Sequence, residues 1–264
     1  MNDADIEAVR ASIESSRHRV KAVQTSLGRV IAKRQRPPRS AWRGRIVNVL
    51  AGGFGVVMLR AVPAHGGARG QEIEIERLRS LRAAGVQVPE VLHAEAGFFV
   101  MGELAGPSLV SLVERGGMAG FEAWRRGLAA LAETHARGGY LSHAFARNFI
   151  ATDAGLAMID FEDDALETMP LEAAQARDWL AYLHSTLWLL DRPIAEVQAA
   201  IAIRLADEAA PVRALVEATG RRLAPLRHLP RSRRPWGREV VGAQALGAVF
   251  PLPIVAETTI DAAF

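Results

Sequence analysis

The sequence contains no cysteine. That absence excludes disulfide bonds, zinc sites with cysteine ligands and thiol catalysis, and it fits a cytosolic protein. Long apolar runs are missing as well. The longest, 46–59, is interrupted by Asn48 and three glycines and is too short to span a bilayer. The first residues are acidic and contain no apolar run, so we expect no secretory signal.

Acidic residues are absent from 15–71, and the formal net charge of +3 hides this asymmetry. The same stretch carries these basic residues: Arg17, Arg19, Lys21, Arg29, Lys33, Arg34, Arg36, Arg39, Arg43, Arg45, Arg60 and Arg69. A solvated basic face would explain them. Contact with an anionic membrane surface, a phosphorylated substrate or nucleic acid would explain them too, and the excess of guanidinium groups favours phosphate contacts.

The bulk composition predicts a folded protein. The 264 residues suffice for one large domain or for two lobes that share a cleft, and half of them are hydrophobic. A core can therefore form, and global disorder is not expected.

Polar residues in the middle of the chain cluster at two places, around Asn148 and around Asp160. Between them lie apolar runs at 149–151 and 156–159, separated by a turn signal at 152–155. This pattern predicts a β-hairpin whose two ends meet. An Asn oxygen and a carboxylate at one point suit a hard cation such as Mg²⁺. A buried hairpin with an Asn at one corner and a capping Asp would explain either residue alone.

The same stretch resembles the catalytic and metal loops of the protein-kinase-like superfamily, H-x-x-G…H-G-D-x-x-x-x-N, then a hairpin, then D-F-G or D-F-E. The nearest branches are the bacterial lipopolysaccharide-core kinases and the Bud32/RIO-type small kinases. One register without a gap, counted forward from His135, places Asn148 and Asp160 on the metal-binding Asn and Asp. Glu162, two residues after Asp160, is a further metal ligand that the resemblance implies.

The proton-accepting position departs from the family pattern. Residues 141–143 read Leu-Ser-His where the family has His-Gly-Asp, so His143 replaces the catalytic Asp. A neutral imidazole can act as a general base near pH 7, whereas a protonated one would repel Mg²⁺. Arg147 is expected to steady the transferred phosphate or the loop. Asp178, in a helix predicted at 171–190, either braces this loop or forms an exposed ion pair.

The resemblance implies that nucleotide-binding residues lie in the first hundred positions. Two strands joined at 26–28 lead to Lys33, and the residues that end there read Val-Ile-Ala-Lys, which resembles the strand whose lysine pairs with nucleotide phosphates. No Gly-rich phosphate loop precedes this strand. Glu74, in a helix predicted at 71–84, occupies the position of the acid that pairs with the lysine. The neighbouring acids at 72 and 76 leave that choice open, because acids stabilise the first turn of any helix.

The next strand, 97–104, runs into a break at 105–108 and a helix that Ser108 caps. This joint resembles a kinase hinge, in which the backbone groups of Glu103 and Leu104 meet adenine. The lobe boundary is therefore placed near residue 104, with an N-lobe over 1–104 and a helical C-lobe over 105–264.

An insertion is predicted at 34–70, inside the first lobe. Its apolar part, 41–60, has arginines at both ends and either lies at a membrane interface or packs in the core. A second interpretation takes 51–55 as a Gly-rich phosphate loop, with Arg60 in place of the lysine, although that exchange would change the geometry. The last part, 63–70, is predicted to be a Gly-rich linker.

The rest of the chain is predicted to be mostly helical. Apolar residues on one face mark a helix at 121–137, in which His135 is a packed structural residue rather than a ligand. Further helices are expected to about residue 229. The tail from Val240 holds Pro251 and Pro253 and is expected to be irregular.

We therefore expect an α+β protein with a two-lobed protein-kinase-like fold, a small β-rich N-lobe and a mostly helical C-lobe. The resemblance implies ATP and Mg²⁺ as cofactors, with transfer of the γ-phosphate to a sugar hydroxyl of a membrane glycolipid or to Ser or Thr of a protein. One alternative is a pseudokinase that binds nucleotide or a partner without catalysis. Another is a basic membrane-associated protein without a nucleotide site. The expected location is the cytoplasm, with peripheral contact to an anionic inner membrane; nucleic acid is not an expected partner.

Overall fold

The computed structural model describes residues 1–36, 62–63, 65–228 and 233–252. A small antiparallel sheet of four strands precedes a part made mostly of helices, and 56% of the structure is helical. The α+β class expected from the sequence is therefore confirmed. The apolar segment predicted at 41–60 lies outside the described residues. Among the helices that are described, none combines the length and the apolar character needed to cross a membrane.

The sheet contains the strands β1 (Val20–Thr25), β2 (Gly28–Arg34), β3 (Val91–Glu95) and β4 (Phe98–Gly102), in the order β1-β2-β4-β3. β1 and β2 form the hairpin predicted around 26–28. Side chains along β2 alternate between the two faces, as strand geometry requires. Ile31 packs towards the larger core of the protein, while Val30 and Ala32 pack on the opposite face.

A helix covers each face of the sheet. Helix α1 (Asp3–Glu14) adds Val9 and Ile13 to the apolar cluster of the outer face. Helix α2 (Gly67–Ala83) adds Leu78 to the larger core, which it shares with the inner face of the sheet. Burial of these apolar side chains is the main force that holds helices against a sheet.

The linker predicted at 63–70 is wrong for its last four residues, which form the first turn of α2. Glycine favours a linker by propensity, but here it permits close packing. A Cβ at Gly70 would lie 2.6 Å from the carbonyl oxygen of His65. The helix can therefore begin against the preceding loop only because this position lacks a side chain.

The connection from the sheet to the helical part passes close to a second hairpin, formed by β5 (Phe149–Thr152) and β6 (Gly155–Met158). The backbone nitrogen of Ala151 donates to the oxygen of Pro107 at 2.9 Å. Gly106 lies between these segments with φ 149°, and a Cβ there would be 1.9 Å from the oxygen of Ala151. The connection then enters helix α3 (Leu109–Val113), which Ser108 caps as the sequence predicted.

The helical part is built on the helices α3, α4 (Gly117–Ala136), α5 (Leu171–Thr186), α6 (Ile194–Ala206), α7 (Ala210–Leu223) and α8 (Arg233–Val249). Large aromatic side chains fill the space between α4 and α5. The indole of Trp124 donates to Thr186 Oγ1 at 3.0 Å, and the hydroxyl of Tyr182 donates to the oxygen of Trp124 at 2.7 Å. Their polar atoms are thus satisfied inside the core.

The C-terminal region differs from the expectation of an irregular tail, because α8 continues to Val249. The prolines on which that prediction rested begin at 251, after the helix has ended. Two glycines inside α8 allow it to approach its neighbours closely. A Cβ at Gly247 would lie 2.2 Å from the oxygen of Leu223, and one at Gly242 would lie 2.6 Å from the oxygen of His184. Tertiary packing therefore overrides the low helix propensity of glycine.

Candidate functional site

The hairpin brings Asn148 and the chain next to Asp160 to one end, as predicted. Phe149 pairs with Met158, and the backbone nitrogen of Ile159 donates to the oxygen of Asn148 at 2.9 Å. The side chain of Asn148 is buried and donates from Nδ2 to the oxygen of His143 at 3.0 Å. Its Oδ1 is the atom that remains for a cation.

Two residues at this site have a left-handed backbone. Ser142 has φ 66° and Asp160 has φ 74°, and they are the two non-glycine residues of the described chain with positive φ. This conformation is costly for a residue with a side chain, and Asp adopts it more readily than most residues. Such strain concentrates at functional sites. Here it lies at the loop that carries His143 and at the end of the hairpin.

Lys33 lies on the inner face of β2 and is almost fully buried. Its Nζ is 2.5 Å from Glu74 Oε1, 2.9 Å from Glu162 Oε1 and 3.2 Å from Asp160 Oδ1. Burial by itself lowers the pKa of Lys33, but the attraction of the three carboxylates outweighs it and raises the pKa above its ordinary value. The ammonium is therefore charged and joins the sheet to α2 and to the segment after β6.

The structure also distinguishes Glu74 from its acidic neighbours. Glu74 is 2% exposed and contacts Lys33. Glu72 and Glu76 are not buried, and the side chain of Glu72 is 66% exposed. The acid that pairs with the lysine is thus the one that the resemblance had selected.

The carboxylates of Glu74, Asp160 and Glu162 lie within 4.8 Å of one another, which is close enough to share a metal ion. The ammonium of Lys33 already contacts all three, so a cation at their centre would have to displace it. Asn148, at the same end of the hairpin as Asp160, carries an amide oxygen that this lysine does not occupy. Oxygen atoms of one carboxylate and one amide, completed by phosphate oxygens, form the kind of donor set that Mg²⁺ uses. The residues present therefore fit this ion.

Asp160 has the charge that such a role requires. Burial raises the pKa of Asp160, but Lys33, through its charge and its hydrogen bond, together with the nearby His143 and Arg36, lowers it below the ordinary value. The carboxyl group is thus ionised throughout the neutral range, and its side chain is 42% exposed. A metal ion can reach it from solvent.

Glu162, also predicted as a metal ligand, is held by three cations. Its Oε1 accepts from Arg19 Nη2 and from Lys33 Nζ, and its Oε2 lies 2.9 Å from Arg36 Nη1. Contacts between residues so far apart along the chain leave no local pattern, so the sequence did not indicate Arg19 or Arg36 here. Glu162 could bind a metal only by breaking these contacts.

His143 lies at the edge of the same site with its side chain 28% exposed. Its Nε2 is 3.4 Å from Asp163 Oδ2, and its ring stacks on Phe145 with centroids 5.9 Å apart. Asp163 was not predicted as a site residue, because the resemblance implied a role only for its neighbour Glu162. A carboxylate beside one ring nitrogen orients the imidazole and leaves the other nitrogen for a substrate proton.

The remaining predicted residues lie at the margins. Arg147 is exposed, with its guanidinium 4.5 Å from the Phe145 ring, and forms no ion pair with any residue in the described part of the chain. Glu103 ion-pairs with Arg29 at 3.1 Å, and both Glu103 and Leu104 are half-buried in the connection after β4. The structure therefore brings together Lys33 and the end of the hairpin, and it places Arg147 on the Phe145 ring that also stacks on His143.

Asp178, in helix α5, holds the loop that carries His143. This side chain is fully buried, and its Oδ2 accepts from the backbone nitrogen of Leu141 at 2.5 Å. The same oxygen is 3.4 Å from His135 Nε2, and His135 Nδ1 is 2.7 Å from Glu208 Oε1. Of the two interpretations of Asp178, the exposed ion pair is wrong. His135 is a packed residue, as predicted, and links two buried acids.

Arg77 ties α2 to the same loop. Its Nη2 donates to the oxygen of Tyr140 at 2.5 Å, and its guanidinium lies 3.6 Å from the centre of the Tyr140 ring. It is also 5.7 Å from the centre of the Phe161 ring. Helix α2 therefore holds both parts of the site: Glu74 contacts Lys33, and Arg77 contacts the loop that carries His143.

No family model matches the chain, and no curated protein matches it. The assignment of a function therefore depends on the residues and distances given above.

Proposed function

We propose that this protein is a kinase-like phosphotransferase with a two-lobed protein-kinase-like fold, which binds Mg²⁺–ATP and transfers the γ-phosphate to a hydroxyl group. The observation that carries the proposal is the convergence of Lys33, Glu74 and Asp160 from three distant segments, with Nζ 2.5 Å and 3.2 Å from the two acids. Phosphoryl transfer needs positioning and charge neutralisation more than covalent help, and these groups supply both.

Each side chain has a role that follows from its surroundings. Lys33, held by Glu74, is the cation for the nucleotide phosphates. Asp160 and Asn148 are the ligands for Mg²⁺, which when bound neutralises phosphate charge and orients the phosphates. Half-buried Glu103 and Leu104 supply backbone groups for adenine in the connection after β4. Arg147, exposed at the loop, is available to the transferred phosphate or to the acceptor.

His143 is the residue that would accept the proton of the attacking hydroxyl. Asp163 lies 3.4 Å from Nε2 and orients the ring, so that Nδ1 is the atom for the substrate proton. This pair takes the place of the single Asp of the family pattern. The acceptor belongs to the class of hydroxyl compounds, a glycolipid sugar or a protein Ser or Thr, and the basic stretch 15–71 favours an acceptor that carries negative charge or lies at an anionic membrane.

A second candidate function is that of a pseudokinase that binds Mg²⁺–ATP without transferring phosphate. The observation that favours it is the histidine itself, because a protonated imidazole near Asp160 would repel the metal ion. The two functions share the nucleotide site and differ only at the proton-accepting position.

The test of both begins with nucleotide binding. Isothermal titration of ATP with and without Mg²⁺ should show binding by the parent protein and a loss of about tenfold or more in affinity for Lys33→Met, because a charge-assisted hydrogen bond to phosphate is removed. Lys21→Met is the matched control. Lys21 lies on β1, and its Nζ donates to the oxygen of Ser12 at 3.0 Å, away from the acids. Absence of ATP binding by the parent, or equal binding by both variants, would overturn the proposal.

A further inference from the structure

The carboxylate of Glu162 is shared by three basic side chains from one end of the antiparallel pair β1 and β2. Arg19 precedes β1, Lys33 lies within β2, and Arg36 follows β2. Arg19 and Lys33 meet Oε1, and Arg36 meets Oε2 at 2.9 Å. The side chain of Glu162 is 11% exposed, so these contacts form in a site with little water. Charge-assisted hydrogen bonds are strong under such conditions.

Both arginines are held in place by the main chain. Arg19 Nε donates to the oxygen of Arg34 at 2.9 Å, and the nitrogen of Arg34 donates back to the oxygen of Arg19 at 2.8 Å. The oxygen of Arg36 accepts from the nitrogen of Gly67, the first residue of α2, at 2.6 Å. The guanidinium of Arg19 therefore does not depend on Glu162 alone, and for Arg36 it is the backbone that is fixed. A preorganised guanidinium loses little freedom when it binds a new anion.

The three cations that share this carboxylate could bind an anion of higher charge in its place. A carboxylate brings one negative charge and two oxygen atoms. A polyphosphate brings several of each, in a geometry that matches the planar fork of arginine. The cavity beside these groups, lined by Arg34 and His65 among others, has a volume of about 10 Å³. That is the room of a single water molecule, so a phosphate that contacts all three cations from this cavity would take the place of the Glu162 carboxylate.

Basic side chains next to Lys33 could replace the Gly-rich phosphate loop that the sequence lacks. No Gly-rich loop precedes the strand of Lys33, so backbone nitrogens that could cover nucleotide phosphates are missing from that position. Side-chain cations next to Lys33 can fulfil the same requirement. Arg19 and Arg36 are the basic side chains that meet Lys33 at a common anion.

We propose that Arg19 and Arg36 form, with Lys33, a polyphosphate-binding site, and that Glu162 is an internal anion which a phosphate group displaces on binding. The identification of the ligand as the phosphates of ATP rests on the proposed function. The site itself, for a linear polyphosphate, needs neither adenine nor catalysis. Glu162 is then a competitor of the ligand and not a ligand of the metal ion.

The two roles of Glu162 predict changes of opposite sign. If Glu162 competes with phosphate, Glu162→Gln should tighten the binding of polyphosphate in the absence of divalent ions, because Arg19 and Arg36 lose this carboxylate while Lys33 keeps Glu74 and Asp160. If Glu162 held Mg²⁺, the same variant would weaken Mg²⁺–ATP and leave metal-free polyphosphate unchanged. Far-ultraviolet circular dichroism would verify that the variant folds; should it not fold, the arginine variants decide.

The experiment is isothermal titration of the full chain with tripolyphosphate in the presence of a chelator. Arg19→Gln and Arg36→Gln should each weaken binding about tenfold or more, which corresponds to about 1.4 kcal/mol. Arg10→Gln is the matched control. Arg10 is also an arginine in an ion pair, 2.6 Å from Glu95, but it belongs to α1 on the outer face of the sheet. Its variant should bind tripolyphosphate as the parent does.

The outcomes separate this inference from the proposed function. No binding of tripolyphosphate by the parent, unchanged binding by both arginine variants, or weaker binding by folded Glu162→Gln would overturn the inference. If Lys33→Met lost Mg²⁺–ATP while Arg19→Gln and Arg36→Gln kept it, the function would stand and the inference would fall. If tripolyphosphate bound with dependence on the arginines but Mg²⁺–ATP did not bind, the inference would stand and the function would fall.

Discussion

The ammonium of Lys33 and the carboxylate of Glu74 meet at 2.5 Å with side chains only 7% and 3% exposed. Removing two charges from water is expensive, and a buried ion pair is often no more stabilising than well-packed apolar residues. The pair is therefore weak evidence for stability and better explained by a need for a fixed cation. A phosphate-binding lysine has that need, because its position relative to the phosphates determines the rate.

Asp160→Asn is expected to weaken Mg²⁺-dependent ATP binding and to leave the fold intact. The change removes the charge that a cation would bind, and it keeps a residue type that tolerates the φ of 74° at this position. The affinity for Mg²⁺–ATP should fall by about tenfold or more, while binding of metal-free ATP changes less. Isothermal titration with and without Mg²⁺ measures both.

The control for this variant is Asp153→Asn. Asp153 lies in the exposed turn of the same hairpin, between β5 and β6, and should not affect binding. Equal affinity of the Asp160 variant and the parent for Mg²⁺–ATP would show that the metal site has been assigned to the wrong residue.

His143 is expected to set the rate of phosphate transfer without setting nucleotide affinity. His143→Ala should reduce turnover by about a hundredfold or more, the usual contribution of a general base. His143→Asp should not restore it, because the new carboxylate would lie beside that of Asp163, which is 3.4 Å from the present imidazole. Release of phosphate from ATP, with water as acceptor, gives the rate, and titration gives the affinity.

A gain of activity in His143→Asp would contradict this expectation. It would indicate that the histidine marks a degenerate site and would favour the pseudokinase alternative. Equal turnover by the parent and both variants would show that a different residue accepts the proton.

Much of the site was accessible from the sequence because its signals are local. The hairpin of 149–158 follows from two apolar runs and a turn, and the strand of Lys33 follows from a four-residue pattern. The resemblance then selected Glu74, although three acids stood in one turn. For the hairpin and the strand the informative residues are neighbours in the chain, and spacing reports on them, whereas the choice of Glu74 came from the resemblance.

What the sequence did not provide are contacts between distant side chains. Glu208 meets His135 from 73 positions away, and Arg19 meets Glu162 from 143 positions away. No period or motif encodes such pairs in one sequence. Helix α8 was missed because the prediction of an irregular tail rested on prolines that follow the helix, and the close contacts of its glycines are visible only together with its neighbours.

Gly106→Ala is expected to destabilise the joint between the sheet and the helical part. Its φ of 149° disfavours a side chain, and a Cβ would lie 1.9 Å from the oxygen of Ala151, so the backbone of β5 would have to move. We expect a loss of roughly 3 kcal/mol or more in the free energy of unfolding, measured by urea denaturation.

Gly97→Ala is the matched control for this change. Gly97 also has positive φ, 99°, but a Cβ there meets no atom within 4 Å. The free energy of unfolding of Gly97→Ala should fall only by the cost of a Cβ at positive φ, about 1–2 kcal/mol. If the two alanine variants were equally stable, the close approach at Ala151 would be of no energetic importance.

The acid-free stretch 15–71 is expected to bind anionic lipid vesicles in a salt-dependent manner. Each basic residue near an anionic surface contributes about 1 kcal/mol at low salt, and screening reduces this as the ionic strength rises. Co-sedimentation of the full chain with phosphatidylglycerol vesicles measures the effect, with neutral phosphatidylcholine vesicles as the control. No sedimentation with anionic vesicles at low salt would remove the membrane from the expected partners.

Stability is expected to decline as the pH rises above about 6.5, because of His135. Burial by itself lowers the pKa of His135, but the hydrogen bonds to Asp178 and Glu208 outweigh it and raise the pKa above the ordinary value. The folded state therefore binds this proton more tightly than the unfolded state. The stabilisation is complete below the unfolded pKa and is lost as the pH rises through the folded one.

The measurement is the free energy of unfolding by urea between about pH 6 and pH 9, where one such proton gives a slope of at most about 1.4 kcal/mol per pH unit. His135→Gln should remove this part of the slope. Glu208→Gln should reduce it, since one of the two acids that raise the pKa of His135 is gone. Because other histidines titrate in the same range, the relevant quantity is the difference between parent and variant. Parallel profiles for the parent and both variants would contradict this expectation. They would show that His135 binds its proton equally well in the folded and unfolded states.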